Sequence, residues 1–114
     1  MRRSEDFRRT VRGGVRVGRP TLLLHVATTD GPTQVGFVVG KTVGNAVTRN
    51  RVRRRLRHLA GTEVRRTAEP LSVVVRALPR AATAPDEVPI DFAAAWPQAL
   101  ARLTRRIAGA GSPR

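Results

Sequence analysis

The 114-residue chain contains no cysteine, which excludes a disulfide framework and thiolate metal ligation. Acidic residues are scarce, eight against 22 basic ones, and the net charge is +14. Those eight acids are scattered: Glu5 and Asp6, Asp30, Glu63 and Glu69, then Asp86, Glu87 and Asp91. A polypeptide nuclease needs clustered carboxylates for metal ions or a positioned general base, and the spacing supplies neither. Capping, turn and solvation roles account for each acid. The apolar runs are much shorter than a bilayer span, and the basic opening MRRSEDFRR leads into no apolar signal region. The chain therefore reads as a soluble cytoplasmic protein. Lysine is almost absent too, with Lys41 alone. Arginine suits phosphate recognition, but a GC-biased genome explains the ratio equally well.

So one-sided a charge balance points to a polyanionic partner, either nucleic acid or an anionic membrane surface. Membrane-surface helices place Trp, Phe or Leu along their basic face. The most basic segment here, GNAVTRNRVRRRLRHLAG over residues 44–61, has only Val52, Leu56 and Leu59, about what a core contact needs. Nucleic acid is the better reading.

The length allows one domain with a modest core, assigned to residues 1–108 with a fraying tail over 109–114. Ser4 can cap a first helix with Glu5 and Asp6 in its first turn, ended by Gly13-Gly14. Residues 21–28 read as a mostly buried strand, 34–40 as a second strand antiparallel to it, and 71–77 as a third. The connection of about thirty residues before the third strand has the length of a crossover with its helix. Residues 79–89 read as a surface loop. A last helix over 91–107 places Phe92, Trp96, Ala99, Leu100, Leu103 and Ile107 on one face. Pro97 should kink it or move its start to about Trp96.

The arginine-rich segment is ambiguous at first, because Arg49, Arg51, Arg53, Arg55 and Arg57 alternate like a strand. The opposite strand face would be Asn50, Val52, Arg54, Leu56 and His58, which is not apolar. As a helix, Val52, Leu56, Leu59 and Ala60 form one stripe, with Asn45 or Thr42 as the cap and Gly61 as a stop or a weak point. The helix is the better fit. Arg49, Arg53 and Arg57 then form one ridge and Arg51, Arg54, Arg55 and His58 another, with Asn50 between them. Like charges at this spacing cost a few tenths of a kcal/mol per pair, roughly. Burying each apolar stripe residue returns about 1.5–3 kcal/mol. An ordinary solvated face would mix signs, yet no acid lies between Lys41 and Glu63. His25 reads as a half-buried strand residue, His58 as an additional nucleic-acid contact and Trp96 as core.

The run VGFVVGKTVGNAVTRNRVRRRLRH resembles the signature of the bacterial ribonuclease P protein family: a strand, a glycine-lysine turn, then G-N-A-V and R-N-R. The resemblance extends to SEDFRRTVRGG upstream and LSVVVRALPRAA downstream. It implies an α+β fold, a two-layer α/β sandwich of ribosomal-protein type with a mixed sheet of about four strands. It also implies a left-handed crossover, where the general rule gives a right-handed one. By this resemblance the protein binds a catalytic RNA through Arg49, Asn50, Arg51, Arg53, Arg54 and Arg57. It would hold the 5′ leader of precursor tRNA at Phe7, Val11, Leu24, Val38 and Lys41. The RNA would cleave the precursor with Mg2+, while the protein contributes no catalytic residue, binds no cofactor or metal of its own and broadens substrate range. Neither DNA nor membrane is an expected partner. Val11 stands where many members have a second aromatic and Thr42 where many have a second lysine, and the N-terminus is short, lacking the basic extension that often precedes the first helix. A general structured-RNA binder and a self-sufficient metal nuclease are the alternatives.

Overall fold

The computed structural model describes residues 4–111. Its elements are α1 (Ser4–Gly13), β1 (Val15–Gly18), β2 (Leu22–Thr28), β3 (Gln34–Val38), α2 (Ala46–Arg66), β4 (Leu71–Ala77), α3 (Arg80–Thr83) and α4 (Glu87–Gly111). The four strands form one mixed sheet in the order β1-β2-β4-β3. β1 pairs antiparallel with β2, β2 antiparallel with β4, and β3 parallel with β4. The α+β class and the four-stranded sheet agree with expectation.

Strand alternation sets two faces. Val15 and Val17, Leu22, Leu24 and Val26, and Leu71, Val73, Val75 and Ala77 point into one core, which Val52, Leu56 and Ala60 of α2 and Phe92, Ala95, Trp96 and Ala99 of α4 complete. Phe92 and Trp96 stack with ring centroids 5.9 Å apart, so Trp96 is core as expected. The opposite face carries Arg16, Leu23, His25, Ala27, Ser72, Val74, Arg76, Gly36 and Val38, set side by side by the strand registers.

α1 docks on one end of this second face. Thr10 Oγ1 and Ser72 Oγ lie 2.6 Å apart, and the Thr10 hydroxyl also lies 2.8 Å from the Asp6 carbonyl. The approach is close enough to require glycine: a Cβ on Gly14 would stand 2.5 Å from the Thr10 carbonyl oxygen and 2.6 Å from that of Val26.

Several expectations are corrected. β2 and β3 run in opposite directions but do not pair, because β4 lies between them. β1 is an addition to the expected strands, its four residues being too few to show a pattern. Residues 79–89 are not a loop, since α3 and the start of α4 occupy most of them. α4 begins at Glu87 and runs through Pro97. Pro97 is exposed, and the single lost backbone bond, costing about 3 kcal/mol, is outweighed by the buried row Phe92, Trp96, Ala99 and Leu103. Ile107 leaves that row and is 52% exposed. Likewise α2 passes Gly61 without a break. Ser4 lies within α1 rather than ahead of it. Helical backbone extends through residues 109–111, and residues 112–114 of the expected tail lie outside the described residues.

Asp91 does more than solvation. It is 4% exposed, and its Oδ2 accepts from the Thr21 N–H at 3.0 Å and the Thr21 hydroxyl at 2.7 Å. Arg19 Nε stands 3.5 Å from its other oxygen. The carboxylate thus ties the start of β2 to α4.

Candidate nucleic-acid interface

The basic helix starts where the chain leaves β3 through a tight turn, with Val43 N–H donating to the Gly40 carbonyl and Gly44 N–H to that of Lys41. Gly44 has φ of +155°, and a Cβ there would meet Thr48 Cγ2 at 2.9 Å. Asn45 is the N-cap, its side chain accepting from Thr48 N–H at 2.9 Å. The G-N-A run is therefore local geometry: glycine for the sharp entry, asparagine for the orphan amide. Thr42 is not the cap.

α2 docks by the expected stripe. Val52, Leu56 and Ala60 are buried and Leu59 is half-buried. Arg51, Arg54, Arg57 and His58 are exposed, while Arg49, Arg53 and Arg55 are half-buried. Arg53 donates to the Asn50 side-chain oxygen at 3.1 Å. Arg55 donates to the Pro85 carbonyl at 2.7 Å, bridging α2 to the α3–α4 corner. Among the described residues, the ion pairs are Arg9–Asp6, Arg19–Asp91, Arg66–Glu63 and Arg80–Glu87. None involves the arginines between 49 and 57. Their charge is therefore uncompensated within the described residues.

The residues expected to hold the leader divide. Phe7 and Val11 lie half-buried on α1, flanking Thr10 where it meets the sheet. Val38 lies on the open face opposite Arg76 in the β3–β4 register, and Lys41 is exposed in the turn beyond it. Leu24 is corrected. It has no exposed surface and belongs to the core on the other side of the sheet, so nothing bound to the open face reaches it. Its neighbours Leu23 and His25 are the β2 residues on that face, Leu23 half-buried and His25 almost wholly buried.

His25 is buried rather than the half-buried strand residue expected. It lies on the open face, directly across from Arg16 on β1 and Val74 on β4, with Arg76 on the diagonal. It is 5% exposed and its Nδ1 is buried with no hydrogen-bond partner. Burial lowers its pKa below the ordinary value, and the positive charges of Arg16 and Arg76 lower it further. The open face thus combines the guanidinium groups of Arg16 and Arg76 with the aliphatic surface of Leu23 and Val38, over the buried side chains of His25 and Val74. Arg16 and Arg76 were identifiable only through the register, since neither stands in a charged run.

Among the described residues, no group of three or more His, Cys, Asp or Glu side chains is placed to hold a metal ion. No described helix is long and apolar enough to cross a membrane.

Residues 1–99 match the family model described as Ribonuclease P. The chain is 52% identical over 104 residues to the ribonuclease P protein component of Kocuria rhizophila, covering 90% of this chain and 92% of that one. Its identity to the same component of Pseudarthrobacter chlorophenolicus is 45% over 109 residues, covering 93% and 80%. Among solved structures, the RNase P protein of Staphylococcus aureus superposes with a TM-score of 0.65 at 20% identity, covering 94% and 93%. That of Thermotoga maritima gives 0.66 at 20% identity, covering 92% and 94%. These two likenesses concern the fold. The motif order, the four-stranded sheet with its helix between parallel strands, and the near-full-length identity agree: the chain belongs to the ribonuclease P protein family.

Proposed function

We propose that this chain is the protein component of ribonuclease P and assists removal of the 5′ leader from precursor tRNA. α2 engages the catalytic RNA through Arg49, Asn50, Arg51, Arg53, Arg54 and Arg57. The open sheet face beside α1 holds the leader, with Phe7 as the stacking surface and Val11, Val38, Lys41 and Leu23 around it. Bond cleavage and its Mg2+ ions belong to the RNA; the polypeptide supplies grip and orientation in the cytoplasm.

The observation that carries this reading is that two RNA-suited surfaces lie on opposite sides of one sheet. α2 packs on the core side, whereas α1 and His25 lie on the other. A protein so built can hold two RNA segments at a fixed separation. The names of the relatives do not favour the alternative of a general structured-RNA binder.

The test adds the purified protein to its cognate RNA and a precursor tRNA at low magnesium. Faster cleavage at the mature 5′ end than with RNA alone is expected, with no cleavage by protein alone. An unchanged rate, or hydrolysis without the RNA, overturns the reading.

A further inference from the structure

A groove that the resemblance does not account for runs between α2 and the α3–α4 corner. Its deepest part is a cavity of about 260 Å³. Val52, Ala81 and Val88 form an apolar floor, while Arg51 and Arg55 stand at its edge. Arg55 is held across it by the bond to the Pro85 carbonyl, so one guanidinium plane is fixed beside an apolar recess. The same side of α2 continues into shallower hollows lined by Arg54 and His58, and by Asn50 and Val47. Val47 is 66% exposed.

No carboxylate lines any of these three cavities. Glu87, close in sequence to Pro85, is occupied by Arg80, which donates to it from Nε at 2.8 Å and Nη2 at 2.6 Å. That pair also fixes α3 against the start of α4, so the far wall of the groove is held in place.

These features together select a ligand class. An inorganic anion has no use for the apolar floor, and an aliphatic side chain has no use for the guanidinium edge. A nucleotide matches both, having an apolar base face, hydrogen-bonding base edges and a phosphate. Unstacked RNA bases pack on arginine planes and apolar surfaces in this manner. The cavity lies below the roughly 300–1,000 Å³ of drug-sized ligand pockets, which suits a single base.

We propose that this groove takes one unstacked nucleotide of the RNA partner, its base in the recess over Val52, Ala81 and Val88 and its phosphates against Arg51, Arg54 and Arg55. This rests on the reading that α2 binds RNA. It adds a base-selective contact to a surface that phosphate contacts alone would leave insensitive to sequence.

The test uses the full chain with two measurements. In NMR titrations, adenosine 5′-monophosphate should shift the resonances of Ala81, Ala82 and Val88, whereas ribose 5-phosphate and inorganic phosphate should not. An Ala82→Leu substitution at the half-buried rim should abolish those shifts. It should also weaken catalytic-RNA affinity about tenfold while leaving the salt dependence unchanged. Equal shifts from ribose 5-phosphate, or shifts from indole but none from the nucleotide, overturn the proposal in favour of an anion or an apolar protein side chain. Because the titration uses the unaltered protein, it decides the matter even if Ala82→Leu fails to fold. Undiminished RNA affinity after Arg51→Ala and Arg54→Ala would overturn the underlying assignment of α2. Loss with those changes but none with a folded Ala82→Leu would overturn the nucleotide pocket alone.

Discussion

Arg54→Ala tests whether the exposed charge of α2 meets phosphate. Arg54 is exposed on α2, has no ion-pair partner among the described residues and contributes nothing to the core. Its removal should leave folding intact. The helix presents Arg49, Arg51, Arg53, Arg54, Arg55 and Arg57 with no neutralising carboxylate among the described residues. If these engage about six phosphates, log affinity should fall against log salt with a slope of roughly −4 to −5. Raising salt from about 50 to 200 mM would then weaken binding by roughly 250- to 1,000-fold. Arg54→Ala should flatten the slope by about one unit, and Arg54→Lys, which keeps the charge, should restore it. Filter binding or fluorescence anisotropy across a salt series against the cognate RNA provides the measurement. A slope unchanged by Arg54→Ala refutes the phosphate contact, and a wild-type slope shallower than about −2 refutes the electrostatic account of the whole helix.

Gly14→Ala places a Cβ against two backbone carbonyls and should cost about 1–3 kcal/mol; it should loosen α1 and weaken leader binding while catalytic-RNA affinity holds, as read by urea unfolding and binding assays. Leu24→Ala should cost about 2–5 kcal/mol because the side chain is wholly buried; intact stability together with reduced leader affinity would instead put Leu24 on the open face of β2. His25 has a folded pKa below its ordinary value of about 6.5. The unfolded chain therefore takes up the proton first on acidification, so this contribution is full above about pH 6.5 and declines as the pH falls below it. His25→Gln should remove that part of the decline as the pH falls below about 6.5, and an identical pH profile for the variant would contradict it.

Much of the basic helix was legible before the fold. Asn45 as a cap, the Val52–Leu56–Ala60 stripe and the acid-free run between them are local features, and local features survive into the structure. What escaped was set by pairing between distant segments. In TLLLHVAT, apolar residues occupy both alternating sets, so nothing in the run says whether Leu24 or Leu23 with His25 faces the core. Only the register with β1 and β4, and the helices covering one side, decide it. β1 was hidden because VRVG is short and flanked by glycine. Pro89 and Pro97 obscured α4, whose continuity comes from tertiary burial of Phe92 and Trp96. The groove beside α2 needed the α3–α4 corner folded against it, which no reading of residues 79–89 as a loop could supply.

The proposed function requires that the two faces of one sheet bind two different RNA segments. The direct measurement is a pair of single substitutions, Phe7→Ala on α1 and Arg54→Ala on α2, each assayed for affinity to the catalytic RNA and for preference between precursor tRNA with and without its leader. Phe7→Ala should erode the leader preference by about 1–3 kcal/mol and spare RNA assembly, and Arg54→Ala should do the reverse. Parallel losses in both assays from either substitution would contradict the separation.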